Sequence, residues 1–77
     1  MTTSDFLRTL ESVLEIESGS IVGNESLSKL KWWDSLGALT FMAVADQELQ
    51  VSVSDVQLAG CKTLPELLAL LGDKLTP

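Results

Sequence analysis

The sequence predicts an all-α domain: a four-helix bundle, three longer helices plus one short one, with a long loop between the first and second helices. Three observations carry this. Apolar residues recur at three- and four-residue spacings along most of the chain. Two Ser/Thr-x-x-Gln/Glu capping boxes mark helix starts in its last third. The one alternating run, Val51-Ser52-Val53, has no second run to pair with, so it reads as an extended connector. A chain of 77 residues allows a single domain, 1–77.

The first helix is expected over residues 4–17. Phe6, Leu7, Leu10, Val13 and Leu14 share one face, and Asp5, Arg8, Thr9, Glu11, Ser12 and Glu15 fill the other. Residues 18–33 break the pattern with Ser, Gly and Asn. A connection this long is uncommon in a compact domain unless it is functional or pinned by its own side chains. Ile21, Val22, Leu27, Leu30, Trp32 and Trp33 are the expected pins, Gly19 and Gly23 the turns, and Asn24-Glu25-Ser26 the start of a single helical turn.

The second helix begins near Asp34, a good N-cap, and runs to about Gln50. Its apolar residues cover most of its circumference, which suits a central helix or one with an adhesive surface. Ser54-Asp55-Val56-Gln57 opens a short helix from Asp55 to Ala59, stopped by Gly60. Thr63-Leu64-Pro65-Glu66 opens the last helix, with Leu64, Leu67, Leu68, Leu71 and Leu75 on its buried side.

Composition removes several classes of chemistry. The chain has no histidine, so no Ser-His-Asp or Cys-His arrangement can form, and Ser35 is not expected to act as a hydrolase nucleophile. With no histidine and one cysteine, a zinc site of the usual type is excluded, and no metal site is expected. Cys61 cannot pair within the chain; it reads as a small packing residue and fits a reducing cytoplasm. Eleven acids against five bases leave a net charge of −6, which repels nucleic acid and steers partners with basic patches. No secretory signal is visible after Met1. The longest apolar run, 36–45, is well short of the roughly 20 residues that cross a bilayer, so no membrane partner is expected.

The chemistry concentrates at Trp32-Trp33-Asp34-Ser35-Leu36. Ser35 falls at the first position of a helix, just after its cap. Unpaired N–H groups and the positive end of the macrodipole make that a natural berth for a phosphodiester. Leu36 is expected to turn toward the core and set the serine at the rim. These features make Ser35 a good acceptor for a phosphorylated group without saying which group.

From 6 to 71 the chain resembles an acyl carrier protein of the freestanding type. The resemblance rests on Asp34-Ser35-Leu36 midway along the chain, the long loop before it, and the apolar helix ending at Leu49-Gln50-Val51. The short capped helix and Lys62-Thr63-Leu64 complete it. It implies that a phosphopantetheinyl transferase moves 4′-phosphopantetheine from coenzyme A to the Ser35 hydroxyl, with Asp34 helping to position the magnesium-bound substrate and Leu36 completing the motif. The arm's thiol then holds acyl intermediates as thioesters. The carrier, a monomer with no catalytic residues of its own, presents them to loading and processing enzymes whose docking patches are basic or apolar.

The resemblance also implies docking on the second helix, with help from the third. Here the chain departs from fatty-acid carriers, which have several acids along that helix. Gly37, Ala38 and Thr40 stand beside the arm's position, and only Asp46 and Glu48 are charged. Docking is therefore expected to use Met42, Ala43, Asp46, Glu48 and Asp55, with Met42 and Ala43 adding apolar contacts to a dedicated partner. A second departure is Trp32, where many relatives have glycine two residues before the aspartate. These differences lean toward a specialised lipid, polyketide or related pathway. The alternatives are an aminoacyl or peptidyl carrier, although the glycine pair usual before that serine is absent, or an unmodified carrier-like adaptor.

Overall fold

In the computed structural model, α1 spans Thr3–Leu14, α2 Ser35–Leu49, α3 Asp55–Ala59 and α4 Leu64–Ala69, with 3-10 turns at Leu27–Lys29 and Gly72–Lys74. The structure describes residues 1–76; Pro77, the last residue of the expected domain, lies outside them. The described residues form no strand, and Val51-Ser52-Val53 lies outside any helix or strand, as a connector between α2 and α3. Among the described residues, no helix is long and apolar enough to cross a membrane. A single core joins Phe6 and Leu10 of α1, Phe41 and Ala45 of α2, Leu64 and Leu67 of α4, and Ile21 from the long loop.

Helix α1 starts one residue earlier than expected, and Thr2, which the sequence did not mark as a cap, accepts from the Asp5 N–H. The expected caps form: Asp34 accepts from the Gly37 N–H. Ser54 with Gln57 and Thr63 with Glu66 each complete a reciprocal capping box. The last helix is shorter than its leucine spacing suggested. It closes at Ala69, and a positive-φ Gly72 redirects the chain into the 3-10 turn, which still lets Leu71 reach the core.

Helix α1 also ends early, at Leu14 rather than 17. Glu15 adopts the left-handed conformation, and the Ile16 N–H reaches back to the Glu11 carbonyl at 3.1 Å. Periodicity could not signal this stop, because no glycine marks it. The packed face is rotated as well. Val13 is exposed rather than buried, and Glu11, expected on the solvent face, is 1 % exposed.

Glu11 is buried because the loop folds over it. Its two carboxylate oxygens accept the N–H groups of Gly19 at 2.9 Å and Ile21 at 2.7 Å. Arg8 stands 2.8 Å from the same carboxylate and donates to the Ile21 carbonyl at 2.7 Å. Burial alone would raise the Glu11 pKa. The Ile21 and Gly19 N–H groups and the Arg8 guanidinium outweigh it and hold the carboxyl below its ordinary value.

A second carboxylate organises the next turn. Glu25 accepts from Val22 and Gly23, and these bonds likewise overcome the effect of burial and lower its pKa. The loop is then stitched to the α3–α4 link: the Leu64 N–H donates to the Glu25 carbonyl at 2.8 Å and the Leu27 N–H to the Lys62 carbonyl at 2.9 Å. Ile21, Leu27, Leu30, Trp32 and Trp33 pack on the core as expected pins. Val22 does not; it is exposed, since Glu25 holds its backbone at the outside of the turn. The helical turn expected at Asn24-Glu25-Ser26 starts later, with Ser26 as its cap.

Candidate functional site

Trp33, Asp34 and Ser35 stand where the loop meets α2. Edge-to-face aromatic pairs fix this junction: Trp32 on Trp33 at 5.6 Å, Trp33 on Phe41 at 6.2 Å, and Phe41 on Phe6 at 5.7 Å between ring centroids. The series carries the loop's end through α2 to α1. Both tryptophans are therefore anchors, although the Trp32 indole N–H is buried without a hydrogen-bond partner among the described residues.

Asp34 has extended backbone, and its Oδ1 accepts the Gly37 N–H at 2.8 Å while its carbonyl accepts the Ala38 N–H at 2.8 Å. Ser35 follows as the first residue of the 15-residue α2, and its side chain is exposed. The positive end of a long helix thus opens at the serine.

Two clefts flank it. The larger, about 430 Å³, lies between α2 and α3 and is lined by Trp33, Asp34, Ser35, Ala38, Leu39, Asp55, Leu58 and Ala59. Its walls are largely apolar, with Asp34 and Asp55 as the acids. The smaller, about 330 Å³, lies between the end of α1 and the start of α2, lined by Val13, Leu14, Trp32, Leu36 and Gly37 among others. Asp34 borders both.

The structure corrects one expectation at the motif itself. Leu36 does not turn inward; it is 72 % exposed, and Gly37 takes the inward position. At Gly37 the loop's backbone stands so close that any side chain would force it to move.

A family model described as a phosphopantetheine attachment site matches residues 4–71. The chain belongs to that family. No curated protein and no solved structure gives a significant match. The family's domain is the site of covalent 4′-phosphopantetheine attachment, and the helical architecture is that of an acyl-carrier-type domain. Such carrier domains interact with phosphopantetheinyl transferases and biosynthetic enzymes.

The residues at the start of α2 suit that group. An exposed hydroxyl stands at a helix N-terminus, where a phosphodiester's charge is favoured, beside a cleft with apolar walls. Of the residues expected to dock partners, Ala43, Asp46 and Glu48 are exposed on α2, and Asp55 borders the larger cleft. Met42 is half-buried and packs against the core. Sequence reasoning missed Leu36, Leu39 and Val56 as surface residues; they are 72 %, 57 % and 82 % exposed. The near-uniform apolarity of α2 was the available signal, since one helix cannot bury its whole circumference in a small bundle. Cys61 packs on the core with its thiol directed at the Gln57 carbonyl, and burial, aided by the charge of Glu66, pushes its pKa up. A raised pKa disfavours the reactive thiolate.

Proposed function

We propose that this domain is an acyl carrier whose Ser35 bears the 4′-phosphopantetheine arm. The observation that carries the reading is the exposed Ser35 hydroxyl at the first position of α2, capped by Asp34 and open to the cleft between α2 and α3. Attachment forms a bond between Ser35 Oγ and phosphorus, breaks the pyrophosphate bond of coenzyme A, and releases adenosine 3′,5′-bisphosphate and the hydroxyl proton. The bound arm supplies a thiol that holds acyl groups as thioesters.

This chain's own residues position and protect; they perform no reaction. Asp34 caps the helix through Oδ1 and is itself exposed, so its carboxylate is accessible to the metal-bound donor of the transferase. The free first-turn N–H groups favour the phosphodiester. Trp33, Ala38, Leu39 and Leu58 offer an apolar wall along which the arm or a short cargo can lie. Partners dock on α2 and α3 through Met42, Ala43, Asp46, Glu48 and Asp55, joined by Leu36, Leu39 and Val56. The scarcity of acids near Ser35 and these exposed apolar side chains favour a dedicated partner, in a specialised lipid, polyketide or related pathway. The carrier works in the cytoplasm as a monomer.

The test is intact-mass measurement after incubation with a broad-specificity phosphopantetheinyl transferase and coenzyme A. One arm is expected on the wild-type chain and none on Ser35→Ala. No gain on wild type, or an equal gain on Ser35→Ala, overturns the assignment.

A further inference from the structure

A β-carbon built on Gly37 would stand 1.8 Å from the Trp32 carbonyl oxygen, 2.9 Å from its carbonyl carbon and 3.3 Å from the indole Cε3. The first two are backbone atoms, which cannot swing aside as the end of a side chain can. The same Trp32 carbonyl accepts the Asp34 N–H at 3.0 Å, and the Gly37 N–H is the one that Asp34 Oδ1 captures at 2.8 Å. Trp32, Asp34 and Gly37 therefore form a closed set around Ser35. The loop's last turn lies flat on the first turn of α2, and only the bare face of Gly37 lets it do so.

Two further facts show how tightly this turn is set. The Trp33 N–H is held by the Leu30 carbonyl at 3.1 Å, and the Trp33 ring is clamped against Phe41. The turn thus has an anchor on each side of the contact. A side chain at 37 would have to lift the Trp32 peptide away from the helix, and with it the Asp34 cap.

We propose that Gly37 is a positioning residue for the modification of Ser35. It acts through the Trp32 carbonyl and Asp34, and it never touches the transferred group. This rests on the reading of Ser35 as the acceptor. The consequence is specific: an alanine at 37 displaces the Asp34–Ser35 peptide while leaving the outer surface of α2 unaltered. Transfer geometry is sensitive to such shifts, since a displacement of about 1 Å can cost up to roughly a hundredfold in rate.

The experiment compares transfer of 4′-phosphopantetheine from coenzyme A to wild type, Gly37→Ala, Ser35→Ala and Ser12→Gly by steady-state kinetics. Ser12 is exposed on α1 and lines neither cleft, so its variant reports general loosening of the fold. For Gly37→Ala, kcat is expected to fall about tenfold to a hundredfold, with KM for the carrier within about twofold of wild type. Ser12→Gly should keep the wild-type kcat. Gly37→Ala that is helical by circular dichroism and keeps the wild-type kcat overturns the inference, as does a kcat loss matched by Ser12→Gly. Should Gly37→Ala not fold, Trp32→Gly replaces it, because it loosens the same turn from the loop side. It should lower kcat together with hydrogen-exchange protection of the Gly37 amide, and an unchanged kcat overturns the inference. Failure of wild type to be modified, or modification of Ser35→Ala, would strike the acceptor assignment instead, so the two failures are distinguishable.

Discussion

The two ends of the long loop are held in different ways. Near α1, the chain closes on itself: Glu11 and Arg8 are spent on the Gly19 and Ile21 backbone. Near α2, the loop is anchored by aromatic rings beneath the surface, while the surface itself carries an open serine, two clefts and exposed Leu36, Leu39 and Val56. The first region is satisfied internally and serves stability. The second leaves apolar area uncovered in a small domain that can ill spare it, as an interaction surface does.

Breaking the closed region should have the largest effect on stability. Glu11→Ala leaves the buried Ile21 N–H, the part-buried Gly19 N–H and the Arg8 Nε without their carboxylate, and is expected to cost about 3 kcal/mol in urea unfolding. A loss under about 1 kcal/mol would mean that water replaces the carboxylate at little cost. Acid probes the same junction without mutation. The Glu11 and Glu25 carboxyls release their protons more readily in the folded chain than in the unfolded one. Their contribution is thus complete above the unfolded carboxylate value of about 4.3, and fades as pH falls through their lower folded values. Thermal melts should fall through this window, and Glu11→Gln should flatten the fall. A slope equal to wild type in Glu11→Gln would remove Glu11 from the account.

The caps are next in size. Ser54→Ala and Thr63→Ala should each cost about 1 kcal/mol by calorimetry, through loss of a first-turn acceptor. The open region should respond least in stability and most in partnership. Leu36→Ser, Leu39→Ser and Val56→Ser are expected to change unfolding free energy by less than about 0.5 kcal/mol while lowering turnover by a partner enzyme. Ala43→Glu should behave alike, whereas Met42→Ala should also cost stability, because Met42 packs on the core. Unchanged turnover across the whole set would return docking to the charged residues Asp46, Glu48 and Asp55.

Much of the fold was legible in residue types because capping is local. Asp34, Ser54 and Thr63 each satisfy the N–H three residues on, so their positions state where a helix starts. Ser35 was legible for the same reason: the cap before it places it at an exposed helix N-terminus. The misreadings share one cause. Glu11 at the edge of a polar stripe, Leu36 within an apolar run and Val22 among expected pins were assigned sides by residue type, and sides are decided by what packs against them. The loop covers Glu11, leaves Val22 outside, and presses on α2 at 37, which turns Leu36 outward.

By itself, then, the sequence determined the helices, the caps of all but the first, the proposed acceptor serine and the resemblance to an acyl carrier, all of which depend on interactions within a few residues or on a linear motif. Tertiary structure alone decided that Glu11 is a buried anchor, that Leu36, Leu39 and Val56 remain uncovered, and that the loop's backbone leaves no free space for a side chain at Gly37. Those outcomes depend on where a distant stretch of backbone comes to rest, and hydrogen-bonding groups and a carbonyl oxygen arriving from the loop leave no trace in the periodicity of the helix they touch.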